Sequence, residues 1–224
     1  MSDGPSLRSI PYWSKRETKC LAVLTRALQI LRMQESVPES ELDLNRNFYF
    51  CLLKASRLLH PDDEICPLAE CNNQPDVDDE TRSRREQKRP DFQWVFMDNY
   101  EPDPSRSSKQ FVVECKRLGR STRSDWIINS NYVVHGICRF RNATHAYAQR
   151  FASGAMVGYW QNMDKDEVLA DVNSAAQKES LPELVLRGDL THIHVTQFEH
   201  KFRRPFEISP FHLYHLWIDL RACS

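Results

Sequence analysis

Pro90-Asp91-Phe92-Gln93-Trp94-Val95-Phe96 and Phe111-Val112-Val113-Glu114-Cys115-Lys116 are the two stretches that decide the fold. Each is a short run of aromatic and β-branched residues. Between them, Asp98 to Lys109 is turn-rich and contains Pro102 and Pro104. That pattern predicts two paired strands. Side chains alternate across a strand, so Glu114 and Lys116 share one side and Cys115 takes the other. Pairing then lets Asp91 lie beside Glu114 at the margin of a sheet.

On the N-terminal side the period changes. Leu21, Leu24, Leu28 and Leu31 recur at helical spacing and predict an amphipathic helix from Ser14 to Met33, ended by Pro38. A second helix is expected from Ser40 to Leu59, offering Leu42, Phe48, Leu52, Leu53 and Leu59 for burial, with His60-Pro61 as its stop. Asp62 to Arg89 is polar and reads as a mobile or partly helical connector, the segment most prone to disorder. On the C-terminal side, helices are expected over Asn129 to Phe140 and Thr144 to Ala152, then a buried strand over Ala155 to Trp160. A polar helix from Lys165 to Lys178 and strands near Thr191–Phe198 and Leu213–Leu220 complete the chain. The order helix, strand, strand, helix, strand excludes all-helical and all-β folds and predicts an α/β protein. We divide one domain, residues 1–224, into N-terminal helices (1–60), a connector (61–89), a core (90–162) and a C-terminal helix with strands (163–224).

Composition sets few limits. The 224 residues are 41% hydrophobic and 27% charged, with a formal net charge of −1, ordinary values for a soluble domain. Local asymmetry is sharper: Pro61 to Glu80 carries eight acids and no Lys or Arg, and Arg82, Arg84, Arg85, Lys88 and Arg89 follow. Whole-chain charge therefore neither supports nor excludes a nucleic-acid partner. No apolar run approaches the roughly 18 residues of a membrane span, and the N-terminus lacks a signal-peptide core, so a cytoplasmic protein is expected. Seven cysteines without a repeated C-x-x-C suit reduced, mostly buried thiols. His60, Cys66 and Cys71 lack a fourth metal ligand, and an acidic loop with incidental thiols explains them as well.

The chemistry rests on the acids. Two neighbouring carboxylates repel unless a hard cation lies between them, and oxygen ligands suit Mg²⁺ or Mn²⁺. A nearby ammonium can hold an attacking water and offset charge developing on a phosphate. The tripeptide [D/E]-x-K is unspecific alone. It occurs at Glu17-Thr-Lys19, Glu86-Gln-Lys88, Glu114-Cys-Lys116 and Glu199-His-Lys201. Only Glu114 combines an apolar strand, an upstream Pro-Asp and the following helix and strand. The bland alternative is an exposed ion pair at a strand end.

Through Arg89-Pro90-Asp91-Phe92 and Phe111 to Leu118 the chain resembles the PD-(D/E)XK nuclease superfamily, at motif level and over roughly Glu41 to Trp160. The resemblance implies a restriction-endonuclease-like fold, a central mixed β-sheet flanked by helices, here with N-terminal helices and C-terminal strands added. It implies a Mg²⁺- or Mn²⁺-dependent nuclease acting on phosphodiester bonds, DNA rather than RNA. Asp91, Glu114 and the Cys115 carbonyl would be metal ligands and Lys116 would assist the nucleophile. A further acid from a preceding helix is expected at Glu41, with Glu39 as an equivalent choice and a helix-dipole role as the alternative. A polar residue on the helix after the motif lysine is expected at Gln149 or Arg150, which a solvated helix face explains equally.

Asn131 to Phe140 and Gly154 to Tyr159 are similar to a bacterial subset of these nucleases, which implies a defence or mobile-element setting and a homodimer or a partner subunit. Gly154 and Gly158 are read as permitting close backbone packing. His192, His194 and His200 would share one face of an extended chain, as an auxiliary metal or phosphate contact or as scattered structural histidines. Lys201, Arg203 and Arg204, interleaved with Phe202 and Phe206, would contact backbone phosphate or form a solvated turn. P-loop, dinucleotide-binding, zinc-protease and serine-hydrolase patterns are absent from the sequence. The competing function is a catalytically inactive nuclease-fold module that binds nucleic acid or protein.

Overall fold

Ser40 is extended and accepts from the Asp43 N–H at 3.2 Å, which caps helix α2 (Glu41–Leu59). The cap fixes the helix start and so the position of Glu41. The computed structural model describes residues 10–62, 66–75, 79–120, 128–206 and 208–221. Helix α1 (Ile10–Arg32) precedes α2 and packs on it. Its Leu24, Leu28 and Leu31 are buried as the spacing predicts. In α2 the buried face is Leu44, Phe48, Cys51, Leu52 and Ala55, whereas Leu42 and Leu59, expected in the core, are exposed.

The remaining elements are β1 (Leu68–Ala69), α3 (Arg82–Glu86), β2 (Phe92–Met97) and β3 (Ser108–Leu118), then a helical segment made of α4 (Ile128–Tyr132), a π-helical turn (Val133–Ile137) and α5 (Cys138–Arg141), and then β4 (Ser153–Trp160), α6 (Lys165–Lys178), β5 (Val185–Leu190), β6 (Val195–Phe202) and β7 (Phe211–Asp219). The strands form one open mixed sheet ordered β1-β2-β3-β4-β7-β6-β5. β3, β4 and β7 run parallel, and the flanking pairs are antiparallel. Every residue of β4 is buried, as expected of a parallel strand covered on both faces.

Each face has its own cover. Tyr159 and Tyr214 reach α2 and α1 through hydrogen bonds to Asn45 and Glu17. Met156 and Gly154 lie on the other face, against Gly136 and Phe140 of the helical segment. A methyl group at Gly158 would meet Leu118 and Trp217, so the close-packing reading of that glycine holds. Overpacking of this kind costs about 1–3 kcal/mol. Among the described residues no helix is long and apolar enough to cross a membrane. Cys20, Cys51, Cys115 and Cys138 are buried free thiols.

Four expectations need correction. Residues 144–152 form turns, not a helix. Ala146 and Ala148 have φ of 51°, and the guanidinium of buried Arg204 donates to the carbonyls of Tyr147, Ala148, Gln149 and Phe151 at 3.2, 2.9, 3.4 and 2.6 Å. These carbonyls are satisfied by a side chain, so the segment needs no helical ladder. Gln149 and Arg150 therefore lie on no helix, and Arg150 is 9% exposed, with Nη1 donating to the Ser105 carbonyl at 3.5 Å. His192 sits in a 3₁₀ turn and His194 has φ of 57°, which breaks the extended run; only His200 is within a strand, and it is buried. Three C-terminal strands replace the two expected, because exposed β5 has no alternating apolar pattern to announce it. The connector holds a short strand and α3, while its residues 63–65 and 76–78 lie outside the described residues.

Candidate active site

The centre forms where β2 begins and β3 runs on past it. Phe92 pairs with Val113, so the β2 side of β3 has no strand opposite Cys115 or Arg117. Carboxylates take over. Asp91, the residue before β2, accepts from the Cys115 N–H at 2.7 Å through Oδ2. Glu41 at the start of α2 accepts from the Arg117 N–H at 3.3 Å through Oε2. Two backbone donors that would otherwise be orphaned thereby fix two acids beside the strand.

Glu114 and Lys116 project from β3 toward the helical segment, as their pairing with Met156 and Gly158 requires. Lys116 Nζ is the point on which the oxygens close. It donates to Glu41 Oε1 at 2.8 Å and to the Cys115 carbonyl at 2.7 Å, with Glu114 Oε1 at 3.3 Å and Asp91 Oδ2 at 3.9 Å. Asp91, Glu114 and Lys116 are thus together, and of the two acids weighed on α2 Glu41 is present. Glu39 contributes only its carbonyl, to Arg117 and Gln161.

Arg139, on α5, was missed by sequence reasoning. Its guanidinium donates to Glu114 Oε1, and its charge lies beside the Tyr147 side chain. Asn45 was also missed. Its Nδ2 donates to Asp91 Oδ1 at 3.0 Å, and its Oδ1 accepts from the Tyr159 hydroxyl at 2.9 Å. Asn45 stands four residues after Glu41, the spacing that places two side chains on one helix face. That signal was available in the sequence.

The cluster is acid-rich: Glu41, Asp91 and Glu114 face Lys116 and Arg139. Glu114 is fully buried, and its Oε2 has no hydrogen-bond partner. Burial, reinforced by the Asp91 charge, pushes its carboxyl up to about 8 against the pull of Lys116 and Arg139. Asp91 is also raised by burial, against the Lys116 charge and the Cys115 N–H. Burial opposes the charged form of Lys116, but Glu114, Asp91 and Glu41 outweigh it and raise the ammonium above its ordinary value. The outer edge is wetter, with side chains of Glu41 and Asp91 35% and 19% exposed.

Among the described residues no three His, Cys, Asp or Glu groups are spread as a ready metal cage. The carboxylates close on an ammonium instead. Their chemistry nevertheless fits a hard divalent ion: three carboxylates and one carbonyl, all oxygen, already directed at one cation, with one buried carboxylate oxygen unpartnered. The other metal candidate has no such convergence. Cys66 is exposed and the Cys71 thiol lies 3.5 Å from the Ala69 carbonyl. Comparison with family models, with curated proteins and with solved structures finds no match for this chain.

Proposed function

We propose that the chain is a metal-dependent nuclease of the PD-(D/E)XK kind, hydrolysing nucleic-acid phosphodiester bonds with DNA as the first expected substrate. The observation that carries this reading is the convergence of Glu41, Asp91, Glu114 and the Cys115 carbonyl on Lys116 Nζ. A mixed sheet with helices on both faces supports the restriction-endonuclease-like frame that the motif resemblance implies. The same four oxygens would hold Mg²⁺ or Mn²⁺. Such an ion supplies Lewis-acid polarisation of a phosphoryl oxygen and a more acidic bound water.

The chain's own groups have distinct tasks. Lys116 retains its proton because three carboxylates favour the ammonium. It therefore serves as a cation that holds a water and offsets phosphate charge, not as a base. Glu114, raised to about 8, must lose its proton to become a ligand. Arg139 takes the place assigned from sequence to Gln149 or Arg150: it lies on the helical segment after the motif lysine, beside Glu114. A guanidinium there presents a planar fork suited to a phosphate.

The direct test is cutting of plasmid and single-stranded DNA with Mg²⁺, Mn²⁺ or chelator. Metal-dependent cutting that is lost in folded Lys116→Ala is the expected result. Undiminished cutting by that variant would remove Lys116 from the mechanism, and no cutting by the unmodified protein with either metal would remove the function. A second reading, a nuclease-fold module that does not cleave, is favoured by one observation: Lys116 and Arg139 already pair with the carboxylates. Mn²⁺ titration separates the two, because an interaction module needs no ion at Asp91 and Glu114.

A further inference from the structure

Beside the candidate centre, on the far side of the turn that follows α5, lies an open cleft of about 640 Å³. Arg141, Asn142 and Thr144 form one wall, and Arg203 and Arg204 form the other. Among the described residues no acid lines it. Arg204 supplies a fixed positive charge to its floor. It spends its donors on backbone carbonyls, which carry no net charge to cancel it. Burial lowers its pKa to about 9, still above neutral pH. Arg203 on the rim is exposed. Arg141 is held by Glu179, with Nη2 3.6 Å from Oε2.

The cleft and the centre share a wall. Arg141 follows Arg139, the Glu114 partner, by two residues on α5. At the other end of the turn, the Tyr147 side chain lies beside the Arg139 charge while its carbonyl accepts from Arg204 at 3.2 Å. Between these ends, burial and then the Arg139 and Lys88 charges lower His145 to about 4. Arginines therefore flank this turn on both sides, Arg139 toward the centre and Arg141, Arg203 and Arg204 at the cleft. A nucleic-acid strand presents one phosphate per about 3.4 Å of duplex axis, so a strand held at the centre carries further phosphates past this turn.

We propose that this cleft seats the sugar-phosphate backbone of a nucleic-acid strand adjoining the site of cutting. The assignment rests on reading the centre as one that acts on nucleic acid. The contacts are arginine, amide and hydroxyl groups suited to phosphate oxygens, and they fix position without reading sequence. Arg203 and Thr144 are both exposed and line the cleft.

The test is fluorescence anisotropy with labelled single-stranded and duplex DNA, with Ca²⁺ in place of Mg²⁺. Arg203→Glu and Thr144→Glu place an acid on either wall. Arg57→Glu, an exposed site in the last turn of α2, controls for the change in net charge. The groove variants are expected to bind each probe roughly fivefold to tenfold more weakly, with the slope of log affinity against log salt shallower by about 0.7–0.9 for a lost phosphate contact. Arg57→Glu should stay within about twofold of the unmodified protein. Unchanged binding by both groove variants, or no binding by the unmodified protein, overturns the assignment. Cleavage assays keep the two readings apart: metal-dependent cutting with unaffected binding in the groove variants leaves the nuclease and removes the groove. Lost binding in those variants, with no cutting in any metal, leaves the groove and removes the nuclease.

Discussion

Two polar clusters are buried on one face of the sheet, and their contrast separates a site from a structural device. At Tyr132, His215 and Trp217 the hydrogen bonds run in one direction. Trp217 Nε1 donates to the Tyr132 hydroxyl at 3.0 Å, and that hydroxyl lies 2.8 Å from His215 Nδ1. With the tyrosine oxygen accepting from Trp217, its own proton is available to Nδ1, and His215 Nε2 has no hydrogen-bond partner. Nearby His200 must hold its proton on Nε2, which meets the Pro182 carbonyl at 2.7 Å. Burial pushes His200 down to about 4 and His215 further below its ordinary value. The group is neutral, and His200 Nδ1 and His215 Nε2 are buried without partners. At Glu114 three acids meet two cations, Glu114 itself is held protonated up to about 8, and Glu41 and Asp91 reach solvent. Burial of polar atoms is common to both. An excess of acids over cations beside solvent belongs only to the second, and the proposed divalent cation rests on it.

The largest difference between the regions should appear when each loses its central member. Lys116→Ala leaves three carboxylates without their ammonium and should destabilise the metal-free protein by about 3–5 kcal/mol. Millimolar Mn²⁺ should restore much of that loss, read from urea denaturation with and without the ion. His215→Ala removes the acceptor for Tyr132 and leaves a cavity, for a loss of about 2–4 kcal/mol. Mn²⁺ should restore none of it. Equal response of the two variants to Mn²⁺ would erase the distinction drawn here.

Proton competition sharpens the contrast by a smaller amount. Glu114 rises from 4.5 to about 8 on folding, so the folded chain holds this proton more tightly than the unfolded chain. Its contribution to stability is full below the unfolded value and is lost as pH rises through the folded one. A metal ion must displace the same proton. Mn²⁺ affinity is therefore expected to increase by up to about tenfold per pH unit across this window and to level off above it. Calorimetric titration at several pH values in buffers of different ionisation heat would count the proton. A pH-independent affinity would mean that Glu114 is not a ligand.

How much of this could be read from sequence depended on whether a contact was local. Alternation placed Glu114 and Lys116 on one side of β3, and helical spacing found α1, α2 and α6, because these patterns lie within single elements. The turn at residues 144–152 reads as helix in isolation. It is decided by Arg204, far along the chain, whose guanidinium binds the carbonyls. Arg139 was hidden for a related reason. With the helix misplaced onto residues 144–152, the polar position facing Glu114 was sought at Gln149 and Arg150. Glu41 could be suggested but not separated from Glu39, since only the distance to Lys116 makes the choice. Asn45 needed no tertiary information, because its spacing from Glu41 already put it on the same helix face.

Asn45 also gives the finest test, since it holds Asp91 without touching the point where the cation sits. Asp91 Oδ2 is fixed by the Cys115 N–H, and Oδ1 by Asn45, which is oriented in turn by the Tyr159 hydroxyl. The relay decides which amide atom faces Asp91: with Oδ1 accepting from tyrosine, Nδ2 is the group left to donate. Tyr159→Phe removes that orienting bond at nearly constant shape, and a neutral hydrogen bond contributes about 0.5–1.5 kcal/mol. Mn²⁺ affinity should then fall by about two- to tenfold, the same free energy expressed as binding. Asn45→Ala should fall further, because Asp91 Oδ1 loses its donor as well. If both variants lose stability to urea but bind Mn²⁺ as tightly as the unmodified protein, the relay serves packing alone and Asp91 needs no help to face the cation.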